Sequence, residues 1–259
     1  MPLNWLNAAS YLVSADWEVA KGNAASTWLA KYCLNNGSPV KTYSLLTPYY
    51  EHNGITIFHG DCQDILPSLR EVDLVVTDPP YGISYHSNYY IGDNPFDPIQ
   101  GDDHFPNVVV NWCITHAQAG SLVFLPVDAI SLVPIAKSHV IWVKNNWSAG
   151  DLDHGYAHMW ELAAFWPGPK HEFAEGRPQD VVLAPRVPTQ SMRHPTEKPV
   201  ELLKKLLQHH KCKSVLDPYM GSGSTLRAAK DLGIPAVGIE TNESYCYSAA
   251  MRLAQEVLL

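Results

Sequence analysis

The chain has 259 residues, with 18 basic against 26 acidic side chains, a formal net charge of −8 and 46% hydrophobic residues. That length holds one large α/β domain, or one domain with small appendages. No apolar run reaches the ~18 residues of a membrane span, the opening Met1-Pro2-Leu3-Asn4-Trp5 lacks a secretory signal's basic stretch and apolar core, and the five scattered cysteines form no Cys-x-x-Cys pair.

These exclusions point to a soluble, cytoplasmic enzyme with reduced core thiols instead of a disulfide scaffold or zinc site. Twelve histidines raise the question of a metal. However, His209 and His210 are adjacent and diverge on a helix, while His154 and His158 have no clear third ligand, so no metal is expected. The acid excess is awkward for a partner made of phosphates, whose contacts need Lys and Arg.

In chain order, residues 1–47 hold Trp5, Tyr11, Trp17, Trp28 and Tyr32 in a helical-looking stretch that ends at Asn35-Asn36-Gly37-Ser38-Pro39. This is read as a helical appendage, an oligomer contact or a partner site. Residues 48–259 alternate short β-type runs with helical stretches, the mark of an α/β sheet. The first run, Ile55 to His59, leads into Gly60-Asp61-Cys62.

The second run, residues 73–77, closes on Asp78-Pro79-Pro80-Tyr81. Proline has no N–H and a fixed φ, so this turn offers carbonyls that no neighbouring amide readily claims. Asp78 adds a charged acceptor and Tyr81 a stacking face. A slot of this kind suits a planar ring bearing an exocyclic NH2. The following residues, 84–104, form a long Gly-, Asn- and Tyr-rich loop expected to close over a substrate, with Tyr85, Tyr89 or Tyr90 placed to stack on bases.

Further strands are expected at Ser121 to Leu125 and His139 to Lys144, and then at either Glu161 to Trp166 or Val181 to Ala184, which gives about seven in all. Residues 167–193 are Pro-rich and loop-like. A strand at 214–217 precedes Asp217-Pro218-Tyr219-Met220-Gly221-Ser222-Gly223-Ser224-Thr225 and a helix from Thr225 to Leu232. The strand Ala236 to Glu240 follows, its acid about 20 residues on from the loop.

A strand, a glycine turn and a helix, with an acid after the next strand, is a nucleotide-type fingerprint. Gly221 and Gly223 permit close backbone approach to a ligand. Two features argue against NAD: Leu226 stands where a third glycine belongs, and Asp217 would repel a pyrophosphate. An acid there suits a cofactor that carries positive charge and no phosphate, such as S-adenosylmethionine.

With these residues in view, the chain resembles the S-adenosylmethionine-dependent DNA amino-methyltransferases, which methylate adenine N6 or cytosine N4. Asp78-Pro79-Pro80-Tyr81 looks like their catalytic motif, and Asp217 to Thr225 like their cofactor loop. His194-Pro195-Thr196-Glu197-Lys198-Pro199 is similar to the segment that borders the cofactor's methionine end. The catalytic motif precedes the cofactor motif, the permuted order of the β group. Ile141 to Asn145 and Arg252-Leu253 add smaller matches, and the resemblance spans residues 49–259.

The resemblance implies a Rossmann-like, circularly permuted fold with a mixed sheet. It implies that Asp217 takes the cofactor's ammonium, Glu240 its ribose hydroxyls with Thr241 and Asn242 following, and Asp61 beside Cys62 its adenine amino group. Tyr219 would flank the ring, the backbone of Gly221, Gly223, Ser224 and Thr225 would line the loop, and His194, Pro195, Thr196 and Lys198 would surround the carboxylate end. DNA with a flipped base is the implied partner, in a bacterial or phage-infected cell, and a homodimer is possible within the family. Arg186, Arg193 and Lys198 are candidates for phosphate or cofactor contact.

An acid at position 78 favours adenine N6, since family members acting on cytosine N4 more often carry serine there. Cytosine N4, an RNA substrate and a catalytically silent binding module are the alternatives. Larger relatives carry a sizeable target-recognition insert where this chain has only 167–193, which implies short or relaxed sequence specificity.

Overall fold

The computed structural model describes residues 47–69, 72–82, 90–91, 94–95, 102–146, 156–192 and 196–255. Residues 1–46 of the helical appendage expected over 1–47, and about two-thirds of the 84–104 loop, including Tyr85 and Tyr89, lie outside them.

Apolar, β-branched runs build the centre of the sheet. β1 (Tyr50–His52) and β2 (Ile55–His59) form a hairpin, followed by β3 (Val72–Thr77), β4 (Ala117–Leu125), β5 (Ser138–Val143), β6 (Trp160–Pro167), β7 (Val181–Leu183), β8 (Val215–Asp217) and β9 (Ala236–Glu240). The nine strands lie in the order β1-β2-β9-β8-β3-β4-β6-β5-β7. From β2 to β4 every pairing is parallel. β6 runs against both β4 and β5, and β7 is parallel to β5. The sheet is therefore mixed, within an α/β fold.

The count corrects the expected seven. Two of the additions have readable causes. Asn53-Gly54, both at positive φ, is the two-residue turn that right-twisted hairpins favour, and it adds β1. The proposed choice between 161–166 and 181–184 was false, because both form strands. As a result 167–193 is not wholly loop-like: its described part contributes β7 to the sheet and bridges Phe173 to His210.

Strand residues alternate between two apolar layers, as period-2 geometry requires. On one face Ile55, Ile57, Leu74, Val76, Leu122 and Phe124 pack with leucines of α3 (Val200–Gln208), α4 (Ser224–Asp231) and α5 (Glu243–Ala254). On the other, Phe58, Val75, Leu216 and Ile239 meet α1 (Cys62–Ile65) and α2 (Asn107–His116). Within α3, Leu202, Leu203, Leu206 and Leu207 are all buried, the stripe of an amphipathic helix.

Parallel pairing aligns the carboxyl ends of β2, β9, β8 and β3 on one edge, where open α/β sheets bind ligands. Asp61, Glu240, Asp217 and Asp78 stand at those ends. Because β6 is antiparallel, it brings its first residues to the same edge: Trp160 pairs with Val143 and Glu161 with Trp142. Lys144 follows directly.

Candidate active site

Adjacent strands bring the two distant motifs together. Val215 and Leu216 of β8 pair with Leu74 and Val75 of β3, so Asp217 reaches the residue before Asp78. The Thr77 hydroxyl donates to Asp217 Oδ1 at 2.8 Å, and the Tyr219 amide donates to the same oxygen at 3.1 Å. Asp217 is buried. Burial pushes its carboxyl up to about 6, although the Thr225 and Thr77 hydroxyls and the Tyr219 amide pull it down.

The glycine loop folds onto the next strand's acid. Glu240 accepts from the Gly221 amide at 3.1 Å and the Asn242 amide at 2.7 Å, with the Thr241 hydroxyl at 3.4 Å. Burial raises the Glu240 carboxyl and these donors oppose the rise. Gly223 has φ +78°, and a Cβ there would sit 2.9 Å from the Ala249 Cβ, so the turn into α4 needs glycine both for its dihedral and for the packing of α5. Asn242 in turn caps α5, its side chain accepting from the Ser244 amide at 2.9 Å.

A buried arginine fastens this loop. Arg252 of α5 donates to the Ser222 carbonyl at 3.2 Å and the Ser224 hydroxyl at 2.9 Å, and it pairs with the Glu197 carboxylate. Glu197 thereby ties the Thr196-Glu197-Lys198 segment to the cofactor loop. The sequence reading passed over Glu197. A signal existed, since Arg252 is a charge within the buried Ala249-Leu253 stripe of a helix and such a charge requires a partner.

Asp61 caps α1, accepting from the Gln63 amide at 2.8 Å, and is exposed at the rim. Beside it, burial pushes the Cys62 thiol up to about 11, and a hydrogen bond links it to the Tyr219 side chain. Tyr219 therefore packs between the β2 and β8 ends.

The Asp-Pro-Pro-Tyr turn forms the other half. The Tyr81 hydroxyl donates to Asp78 Oδ1 at 2.8 Å, and Lys198 donates to Oδ2. Tyr81, expected to offer only a stacking face, is thus also held by its hydroxyl. Lys198 lies 3.1 Å from Glu161, and Glu161 lies 2.6 Å from Lys144. The result is a chain of alternating charge, Asp78–Lys198–Glu161–Lys144, so the Lys198 ammonium, expected at the cofactor's carboxylate end, is engaged by two carboxylates.

Burial pushes Asp78 up against the pull of Lys198. Burial acts the same way on Glu161, but Lys198 and Lys144 outweigh it and hold the group below its ordinary value. Lys198 itself is raised, since Asp78 and Glu161 overcome the effect of burial. Gly82, which ends the turn, has φ +74°, and its amide donates to buried Asp102 at 2.7 Å. His194, Pro195 and Arg193 lie outside the described residues. Arg186 is half-buried, its amide donating to the Asn145 side-chain carbonyl. Glu161 is read from sequence only as a strand position, and Lys144 only as part of the Ile141 to Asn145 match, so neither is assigned to the site.

Among known proteins, the DNA methylase family model for N6 and N4 enzymes matches residues 135–251. The putative methylase YubD of Escherichia coli (strain K12) is 29% identical over 215 residues, 75% of this chain and 88% of the relative. Two solved structures share the fold. The M1.HpyAVI–SAM complex has a TM-score of 0.60 at 24% identity, covering 78% of this chain and all of that one. The cytosine-N4-specific PvuII DNA methyltransferase has a TM-score of 0.59 at 12% identity, covering 79% and 88%.

Proposed function

We propose that this chain, whose residues 135–251 match the N6/N4 DNA methylase family model, is an amino-methyltransferase of that kind and moves the methyl group of S-adenosylmethionine to the exocyclic N6 of adenine in DNA. The observation that carries this reading is the Thr77–Asp217 hydrogen bond. It sets the Asp78 turn and the glycine loop side by side at one sheet edge, as transfer between two bound molecules requires.

The residues present fit the cofactor. The partners of Asp217 and Glu240 are hydroxyls and backbone amides, not cations. One buried acid and one half-buried acid, without lysine or arginine partners among the described residues, favour a ligand with positive charge and no phosphate. Asp217 would hold the ammonium, directly or through water, and Glu240 the ribose hydroxyls. Asp61 at the rim suits an adenine amino group, with Tyr219 flanking the ring. When bound, S-adenosylmethionine supplies an electrophilic methyl on a sulfonium.

The protein's task is then to make an amino group nucleophilic. That nitrogen's lone pair is delocalised into the ring. Asp78 and the Pro79 carbonyl would accept its two N–H bonds, draw the nitrogen towards tetrahedral geometry and free the lone pair. Tyr81 and Pro80 would wall the base. The surplus proton leaves afterwards to Asp78 or to water. Positioning and electrostatics carry the rate, with no covalent enzyme intermediate. A base inside a duplex must first be flipped out, at a cost of a few kcal/mol.

The acid at position 78 supports adenine, while the fold shared with a cytosine-N4 enzyme keeps N4 as the second reading. Incubation with S-adenosylmethionine labelled in its methyl group and unmethylated genomic DNA, followed by digestion to nucleosides, decides between them. Label in N6-methyladenine is expected. Label in N4-methylcytosine would overturn the choice of base, and cofactor binding without transfer to any base would overturn the enzyme reading.

A further inference from the structure

Both oxygens of Asp78 are taken: Oδ1 by the Tyr81 hydroxyl and Oδ2 by the Lys198 ammonium. An arriving amino group needs one of them. Tyr81 sits three residues away on the same turn, so its hold is local and fixed by that turn. Lys198 comes from another segment, on a long side chain with a second carboxylate within reach.

That second carboxylate is anchored. Glu161 Oε1 pairs with Lys144 at 2.6 Å, while Oε2 faces Lys198 at 3.1 Å. Glu161 stands on β6 and Lys144 directly after the neighbouring β5, and Lys144 Nζ lies 5.2 Å from the centroid of the Trp142 ring, with only 5% of its side chain exposed. Lys198 Nζ rests 5.0 Å from the centroid of the Phe124 ring, between the two acids. The arrangement has two fixed ends and one movable middle.

Resting on the reading of Asp78 as the acceptor of the substrate's amino group, we infer that Glu161 is a positioning residue: it draws Lys198 off Asp78 as the base arrives, so that Asp78 opens to an N–H only while Glu161 carries its charge. Glu161 touches neither base nor cofactor in this scheme and acts through Lys198. Among the described residues, the charged or titratable groups around Asp78 are Lys198, Glu161 on β6, Tyr81 on its own turn with Asp102 behind it, and Asp217 on β8. Removing the negative charge of Glu161 removes a repulsion from ionised Asp78. The acid limb of the rate profile must then move to lower pH even as the rate falls.

The test measures methyl transfer from S-adenosylmethionine to unmethylated genomic DNA by the whole chain, with cofactor binding and thermal melting measured alongside. Glu161→Gln is expected to lower kcat roughly 10- to 100-fold, less than the roughly 10²- to 10⁴-fold that a group transferring the proton itself contributes, because Glu161 acts through Lys198, and to leave cofactor affinity within about twofold, with the acid limb displaced downward. In a Lys198→Met background the same substitution should change kcat less than about twofold, because residues acting through one another are not additive. Glu161→Asp keeps the charge and should retain most of kcat with an unmoved acid limb, which keeps the test decisive even where Glu161→Gln fails to fold. An unchanged kcat in Glu161→Gln, an equal loss in both backgrounds, or a Glu161→Asp variant as poor as the glutamine would overturn the inference while leaving the functional reading intact. No transfer by the unaltered chain would sink the functional reading and the inference with it.

Discussion

The two halves of the site are built from different materials. Around Asp217 and Glu240 the donors are backbone amides and short hydroxyls, fixed by the sheet and by the glycine turn. Around Asp78 the donors are a tyrosine and a lysine, and the lysine answers to a second acid. Short, backbone-borne donors are organised before a ligand arrives, whereas a buried lysine between two carboxylates can change partners. On the proposed reading, the difference suits one half to a constant cofactor and the other to an incoming base.

The sharpest way to break this contrast is to delete each half's acid. Asp78→Ala should cut turnover by about 10³-fold or more, the scale of losing a preorganised transition-state contact, while cofactor affinity measured by calorimetry stays within about threefold. Asp217→Asn should do the reverse, weakening cofactor binding by roughly 10- to 100-fold through loss of a charge-assisted contact. A turnover defect in Asp217→Asn without a binding defect would mean that the halves have been exchanged.

Next in size is the clamp that joins them. Arg252 and Glu197 are both more than nine-tenths buried. Arg252→Ala takes from the buried Glu197 carboxylate its arginine partner and from the Ser222 carbonyl its donor, and should cost about 3–5 kcal/mol of stability, seen as a lower urea midpoint. Arg252→Lys should recover only part of that, since an ammonium cannot reproduce the fork to Ser222, Ser224 and Glu197.

A pH experiment sharpens the cofactor half. The Asp217 carboxyl is raised from 3.8 to about 6, so between those values the folded protein binds more protons than the unfolded chain. Its contribution to stability therefore falls as pH rises from about 4 to about 6. A cationic ligand favours the ionised form, so cofactor affinity should weaken as pH drops below about 6. Asp217→Asn should flatten that dependence; an equal slope in the variant would assign the titration elsewhere. The smallest effect is expected at Gly223→Ala, where φ +78° and a 2.9 Å approach to Ala249 should lower stability by about 1–2 kcal/mol.

What sequence revealed and what it hid follow one physical line. Asp61, Asp78, Asp217 and Glu240 were legible because each ends a parallel apolar run, so chain order alone placed them on one edge. Glu161 was hidden because it begins a strand, and only the reversal of β6 between β4 and β5 carries that start to the ligand edge. Lys198 was legible as a site residue but not in its pairing, since its motif says nothing of β6. β1 was missed although Asn53-Gly54 signalled it, and β7 was legible only as an alternative to Glu161 to Trp166, whereas both segments form strands.

On the proposed function, the Asp78 slot and the glycine loop must open into a single cavity. A bisubstrate ligand tests it directly: adenine joined through its N6 by a short linker to the 5′ carbon of adenosine. If the two pockets adjoin, the conjugate should bind the unaltered chain about 10²- to 10⁴-fold more tightly than the adenosine half alone, the gain from making the second contact intramolecular, and Asp78→Ala should abolish that gain. A conjugate that binds no better than its adenosine half would contradict the account.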